Sequence, residues 1–210
     1  MQVAHPPTGN GHIALPAREP AYDINRVQDA MRALLAALGV PADSETGRNT
    51  PRRAAAALLE LLTPEPFELT TFPNAESHDG LVLVRDITFR SLCAHHLLPF
   101  VGIAHIGYVP GDHRVVGLSK LARTVQTQAA RLQVQEDLTQ QIADWLEGHL
   151  QARGVTVVVE AEHLCMSLRG ARSPEASTVT LAARGVLRDD PVLRAELRDL
   201  LAVRGRRWSP

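Results

Sequence analysis

Apolar residues first recur at helical spacing. Over Ala21–Leu38, the residues Ile24, Val27, Met31, Leu34, Leu35 and Leu38 form one stripe, and Gly39 and Pro41 stop it. Thr50-Pro51 predicts a second helix start, a capping Thr with Pro in the first turn, running through Ala54–Leu62. Residues 63–80 hold Pro, Asn and Gly and read as a loop. The period then changes to that of strands. Leu81–Arg90 has Leu81, Leu83, Ile87 and Phe89 on one side, and Phe100–Val109 is apolar on both faces, as a buried strand is. Pro110-Gly111-Asp112 marks a turn. Helical spacing returns over Leu118–Leu132 and Val134–Leu150, and Gly154 ends the second. Val155–Ala161, Leu164–Leu168 and Ser177–Leu187 read as strands, the first two as separate pieces or one bent strand, and Pro191–Val203 as a last helix.

Strands thus come in adjacent pairs and do not alternate singly with helices. That order predicts an α+β fold: an antiparallel sheet with helices on one face, preceded by N-terminal helices. So small a sheet has open edges, which barrel closure or oligomerisation would cover. Residues 1–20 read as a flexible N-terminal tail, 21–80 as an N-terminal helical region and 81–210 as the main domain.

Composition narrows the function. The chain has 210 residues, 45% apolar, with a formal net charge of −1, so any anion site must be local, built from a few converging cations. Aromatics make up only 4%, too few for base-stacking platforms, and no nucleic-acid partner is expected. No apolar run approaches the ~18 residues of a membrane helix, and the first 20 residues lack the apolar core of a signal peptide. A cytoplasmic protein without membrane association is expected. Its two cysteines, Cys93 and Cys165, then call for packing, metal binding or catalysis and not a structural disulfide.

Two segments carry candidate chemistry. Cys93-Ala94-His95-His96 offers three metal-ligand types in four residues, and sulfur with imidazole favours zinc. Alone, the segment is equally a buried cysteine beside surface histidines. In the second segment, a strand would put His163, Cys165, Ser167 and Arg169 on one face and Leu164, Met166 and Leu168 on the other. A wet edge strand would show the same alternation. Together they suggest a centre of Cys93, His96 and Cys165: three protein ligands and one open position, the catalytic zinc pattern. His95 and His163 are then left for proton transfer. Either could instead be a fourth ligand, which would make the site structural. Further along, Lys120 and Arg123 are three apart and share a face near the start of the helix after Gly117, where an anion or simply solvent could face them, with Arg53 and Arg169 able to join. Glu136, near the start of the next helix, suits either a guanine edge or the helix dipole.

Four blocks in order resemble the GTP cyclohydrolase I family: Ser91-Leu92-Cys93-Ala94-His95-His96, Gly117-Leu118-Ser119-Lys120-Leu121-Ala122-Arg123, Gln133-Val134-Gln135-Glu136-Asp137-Leu138-Thr139, and Glu160-Ala161-Glu162-His163-Leu164-Cys165-Met166. Thr50-Pro51-Arg52-Arg53 is similar to an upstream element of the same family, and the resemblance spans about residues 45–190. It implies the tunnelling fold, with residues 81–210 as the catalytic domain. In that fold, subunit sheets join into a barrel, usually in a homodecamer of two pentamers with sites between subunits. It implies Zn2+ on Cys93, His96 and Cys165, and His95 and His163 as proton-transfer groups. Gln135 and Glu136 would lie at the purine, Ser119 would assist at the ribose, and Arg53, Lys120, Arg123 and Arg169 would hold the triphosphate. The implied reaction adds water at C8 of GTP, opens the ring, releases formate, rearranges the ribose and closes to 7,8-dihydroneopterin triphosphate.

One departure is sharp: the family pattern has Glu where this chain has Ala94. The late strand is also looser, with Ala176 and Leu181 where the family tends to have Ser. Two alternatives therefore stand beside the main reading. One is a paralogue with a truncated or altered pteridine or deazapurine reaction. The other is a zinc-containing GTP-binding protein without turnover.

Overall fold

The computed structural model describes residues 11–14, 22–111 and 114–203. In chain order the elements are β1 (Gly11–Ala14), α1 (Ile24–Ala37), α2 (Glu45–Leu62), β2 (Glu68–Pro73), β3 (Val82–Cys93), β4 (Pro99–Val109), β5 (Arg114–Val116), α3 (Leu118–Ala129), β6 (Leu132–Gln133), α4 (Gln135–Leu150), β7 (Gly154–His163), α5 (Leu164–Ser167), β8 (Thr178–Gly185), α6 (Val186–Asp189) and α7 (Pro191–Ala202). The main sheet has the order β6-β3-β4-β7-β8. Its pairs are antiparallel except the short β3–β6 bridge. A smaller sheet runs β1-β2-β5. The expected α+β architecture with N-terminal helices is therefore present.

The register explains where the core lies. Tyr108 faces Val155, Ile106 faces Val157, Ala104 faces Val159 and Gly102 faces Ala161 across β4 and β7. On β3, Ile87 and Phe89 join the same face, opposite Ala104 and Gly102. Helices α3 and α4 cover it with Leu121, Val125, Leu138, Ile142 and Leu146, each fully buried. Each such side chain contributes about 1.5–3 kcal/mol over leaving it in water. The α4 stripe and the Leu121–Val125 part of the α3 stripe make this layer, whereas Leu118 and Leu132 are exposed and α1 buries none of its expected stripe.

Four local readings are corrected. First, a bulge shifts the β3 register between Val84 and Ile87, where Asp86 adopts φ 59°. One extra residue flips the alternation, so Val82 and Val84 lean on the core, not Leu81 and Leu83. Second, α2 begins at Glu45, not at Thr50-Pro51. The Ser44 hydroxyl accepts the Gly47 N–H at 3.0 Å and outcompetes the later Thr as the cap. Third, the expected loop over 63–80 contains β2, whose Leu69 and Thr71 are buried between β1 and β5. Fourth, Leu164–Ser167 is a helical turn and not a strand, so the predicted shared face of His163, Cys165, Ser167 and Arg169 does not exist. As for the expected N-terminal tail, residues 1–10 and 15–20 lie outside the described residues, while Gly11–Ala14 pair with β2.

Gly102 permits the closest approach in the sheet. A Cβ there would press on the Glu160 carbonyl oxygen and lie 2.7 Å from Ala161 Cα, both rigid backbone. Gly102→Ala is expected to cost more than ~3 kcal/mol, at the upper end of overpacking penalties. Chemical denaturation would measure it, and an unchanged midpoint would contradict the packing described.

Candidate functional site

The site forms where β3 and β7 end side by side. Cys93 is the last residue of β3. Its N–H donates to Leu98 O and its carbonyl accepts from Leu97 N–H, each at 2.9 Å. Leu97 takes φ 53° to close this tight loop. The fold-back brings His96 over the strand end, with Nδ1 4.0 Å from Cys93 Sγ. Ala94 N–H donates to Gln133 O at 3.0 Å, tying the loop to β6. The third member comes from β7. Phe100 pairs with His163, the final residue of that strand, and the α5 turn swings Cys165 back toward Cys93. The donor atoms of Cys93, His96 and Cys165 all lie within 4.8 Å of one another.

This donor set fits a metal ion. Zn–S and Zn–N bonds of ordinary length put tetrahedral donors about 3.6–3.8 Å apart, so a small contraction suffices. Two sulfurs and an imidazole are the soft donors zinc takes. The group also grades from buried Cys93 through half-buried Cys165 to exposed His96, so one side faces solvent. The Cys165 thiol is held above its ordinary range, first by burial and then by the facing Cys93, while Arg169 opposes. Two adjacent sulfurs of this kind become thiolates readily only with a cation between them.

The two remaining histidines lie beside the group. His95 is exposed and sits edge-on to His96, with ring centroids 6.2 Å apart. The His163 ring stacks on Phe100 at 4.8 Å and 3°, and its Nε2 lies 2.8 Å from Gln135 Oε1. Burial lowers the His163 pKa, with Glu136 partly opposing, so the ring is neutral at neutral pH. Glu136 itself is exposed in the first turn of α4. Gln135, expected at the purine, is completely buried behind His163. Arg169 is exposed just past α5, close enough for its charge to act on Cys165.

The other expected substrate contacts lie on α2 and α3. Ser119 and Lys120 open α3, Arg123 is exposed one turn on, and Arg53 is exposed on α2. Among the described residues, no side-chain hydrogen bond or ion pair ties any of these four to the Cys-His-Cys group. Arg123 instead lines a cavity of about 710 Å³ with Glu60, Glu65, Thr88, Arg90 and Thr127. The sequence reading missed Phe100, Thr139 and Thr180, which support His163 directly or through Gln135. Thr139 alone had a signal, its position one helical turn after Gln135.

Comparison with known proteins is consistent across most of the chain. The family model described as GTP cyclohydrolase I matches residues 27–202. "GTP cyclohydrolase 1" of Streptomyces avermitilis is 50% identical over 189 residues, covering 87% of this chain and 92% of that protein. "GTP cyclohydrolase 1" of Mycolicibacterium vanbaalenii is 51% identical over 184 residues, covering 86% and 91%. Among solved structures, that of the archaeosine synthase QueF-Like in the apo form aligns at TM-score 0.42 and 15% identity, over 50% of this chain and 94% of that one.

Proposed function

The chain belongs to the GTP cyclohydrolase I family, and from that premise we propose that it converts GTP to 7,8-dihydroneopterin triphosphate with release of formate. The observation that carries the reading is the convergence of Cys93, His96 and Cys165 from two strand ends into one donor group open to solvent. Zinc, when bound there, supplies Lewis acidity that makes water nucleophilic at neutral pH.

The chain's own residues then bind, orient and move protons. Glu136, exposed and electrostatically close to His163, accepts the N–H groups of the guanine edge and sets the purine in front of the donor group. His163, neutral because burial disfavours its charge, takes up and returns a proton at the ring being opened. His95, beside His96, is the second proton carrier. Arg169 neutralises charge on the Cys165 side. Lys120 presents a cation from the first turn of α3, where the helix dipole adds to its pull on phosphate, and Arg123 presents another one turn on, with Arg53 as a further contact and Ser119 at the ribose.

Among the described residues of one chain, Arg53, Lys120 and Arg123 make no side-chain bond to the donor group, and Arg123 lines a cavity that includes none of the three donors, which supports a site completed between subunits. Two further observations support assembly. Among the described residues no strand pairs with the outer edge of β8, and Val179 and Leu181 on it are large apolar side chains, 60% and 59% exposed. A homo-oligomer that closes the sheets into a barrel, as in a decamer of two pentamers, would cover them. No described helix is long and apolar enough to cross a membrane, and we take the enzyme to work in the cytoplasm.

The test is to incubate the zinc-loaded protein with GTP and follow formate and pterin absorbance together. Equal release of both is expected. Formate without pterin, or a ring-opened product without formate, would mean an altered reaction and would point to Ala94 as its cause. Bound zinc and GTP with neither product would leave a binding protein.

A further inference from the structure

Gln135 sits in a hydrogen-bond system whose main-chain partners fix the direction of its amide. Its side-chain nitrogen lies 2.9 Å from Thr178 O and 3.1 Å from Val159 O. Main-chain carbonyls only accept, so this atom is the NH2 and the other is the carbonyl oxygen. A flipped amide would turn an acceptor on two acceptors. The neighbouring hydroxyls agree. Thr139 Oγ1 donates to Gln135 O at 2.8 Å, which uses its proton. With Thr180 Oγ1 donating to Thr139 Oγ1 at 2.6 Å, its lone pairs face Gln135 Nε2 at 3.1 Å, which is compatible with an NH2 there. Residues from α4, β7 and β8 thus fix one amide orientation, in a place where Gln135 is wholly buried.

That orientation dictates the state of His163. Gln135 Oε1 is an acceptor, and His163 Nε2 lies 2.8 Å from it, so Nε2 carries the hydrogen. We infer that Gln135 is a positioning residue that locks His163 in its Nε2–H tautomer, which leaves Nδ1 as the only ring atom able to accept a proton. Phe100, stacked flat on the same ring, removes the remaining freedom to tilt. Gln135 acts through His163 and touches no substrate. The role in turnover rests on the proposed GTP chemistry, whereas the tautomer itself does not.

The test uses the full-length, zinc-loaded protein labelled with 15N-histidine, with the His163 signals assigned by their loss in His163→Gln. Nε2 is expected at the shift of a protonated ring nitrogen and Nδ1 at that of an unprotonated one. The reverse pattern in the natural protein would overturn the inference whatever the enzyme does with GTP. Gln135→Met removes the acceptor at nearly constant volume. It is expected to give mixed tautomers and a kcat lower by about 10–100-fold, the range seen when a supporting partner of a site residue is lost, with zinc content and KM unchanged. A single Nε2–H tautomer persisting in Gln135→Met would show that Gln135 does not set it. If the natural protein fails to turn over GTP, the nitrogen shifts alone still decide.

Discussion

Cys165→Ser is expected to leave the purified protein without stoichiometric zinc and to reduce formate release from GTP by more than ~100-fold, beyond what loss of a mere supporting partner costs. Cys93 and His96 come from one short loop and stand 4.0 Å apart, so they alone form a two-donor site on a single turn. Cys165 is the donor that joins this loop to the other strand, through the α5 turn after β7. A serine oxygen is harder and less easily ionised than a thiolate, and its shorter bond reaches less far. The fold should survive, because Cys165 is half-buried at the rim of the core and not among its fully buried members. Metal analysis, circular dichroism and formate assay on one preparation separate the outcomes. A folded Cys165→Ser protein with full zinc would remove Cys165 from the ligand set. Lost zinc with undiminished activity would remove the metal from the chemistry.

Much of this site is legible in residue types and their spacing. The ligand trio is inferable because Cys and His clusters are rare and chemically narrow, and the helical stripes of α3 and α4 are plain because each buries a continuous face. The failures have specific causes. The bulge at Asp86 depends on a single residue in positive φ, and alternation read through it assigns Leu81 and Leu83 to the wrong face. The segment after His163 carries strand-like alternation yet turns helical, because its role is to aim Cys165 backward across the strand end, a tertiary demand that local pattern does not encode. The buried system behind His163 joins three elements, with Thr180 forty-five residues from Gln135, so no local window contains it. Residue types suited to a chemistry can be recognised along the chain. Which of them reach the surface and which, like Gln135, are buried behind others is decided by tertiary packing.

A site shared between subunits leads to a sharper expectation. If each site takes its donor group from one subunit and its α3 cations from another, two differently inactivated chains should repair each other. Arg123→Ala should keep zinc, since Arg123 lines a cavity that includes none of the three donors. It should lower kcat/KM for GTP by about 10–100-fold through loss of a charged hydrogen bond to phosphate. Cys165→Ser should be inactive for the opposite reason, with its α3 intact. Unfolding and reassembling equal amounts of the two would then form mixed oligomers. With random partners, roughly one site in four pairs an intact donor group with an intact α3, so about a quarter of natural activity should return. A site built wholly within one chain predicts no gain, because every chain in the mixture carries a defect. Mass spectrometry of the intact oligomers would verify that mixing took place. Verified mixing without recovery would put Arg123 and the donor group on the same subunit's site.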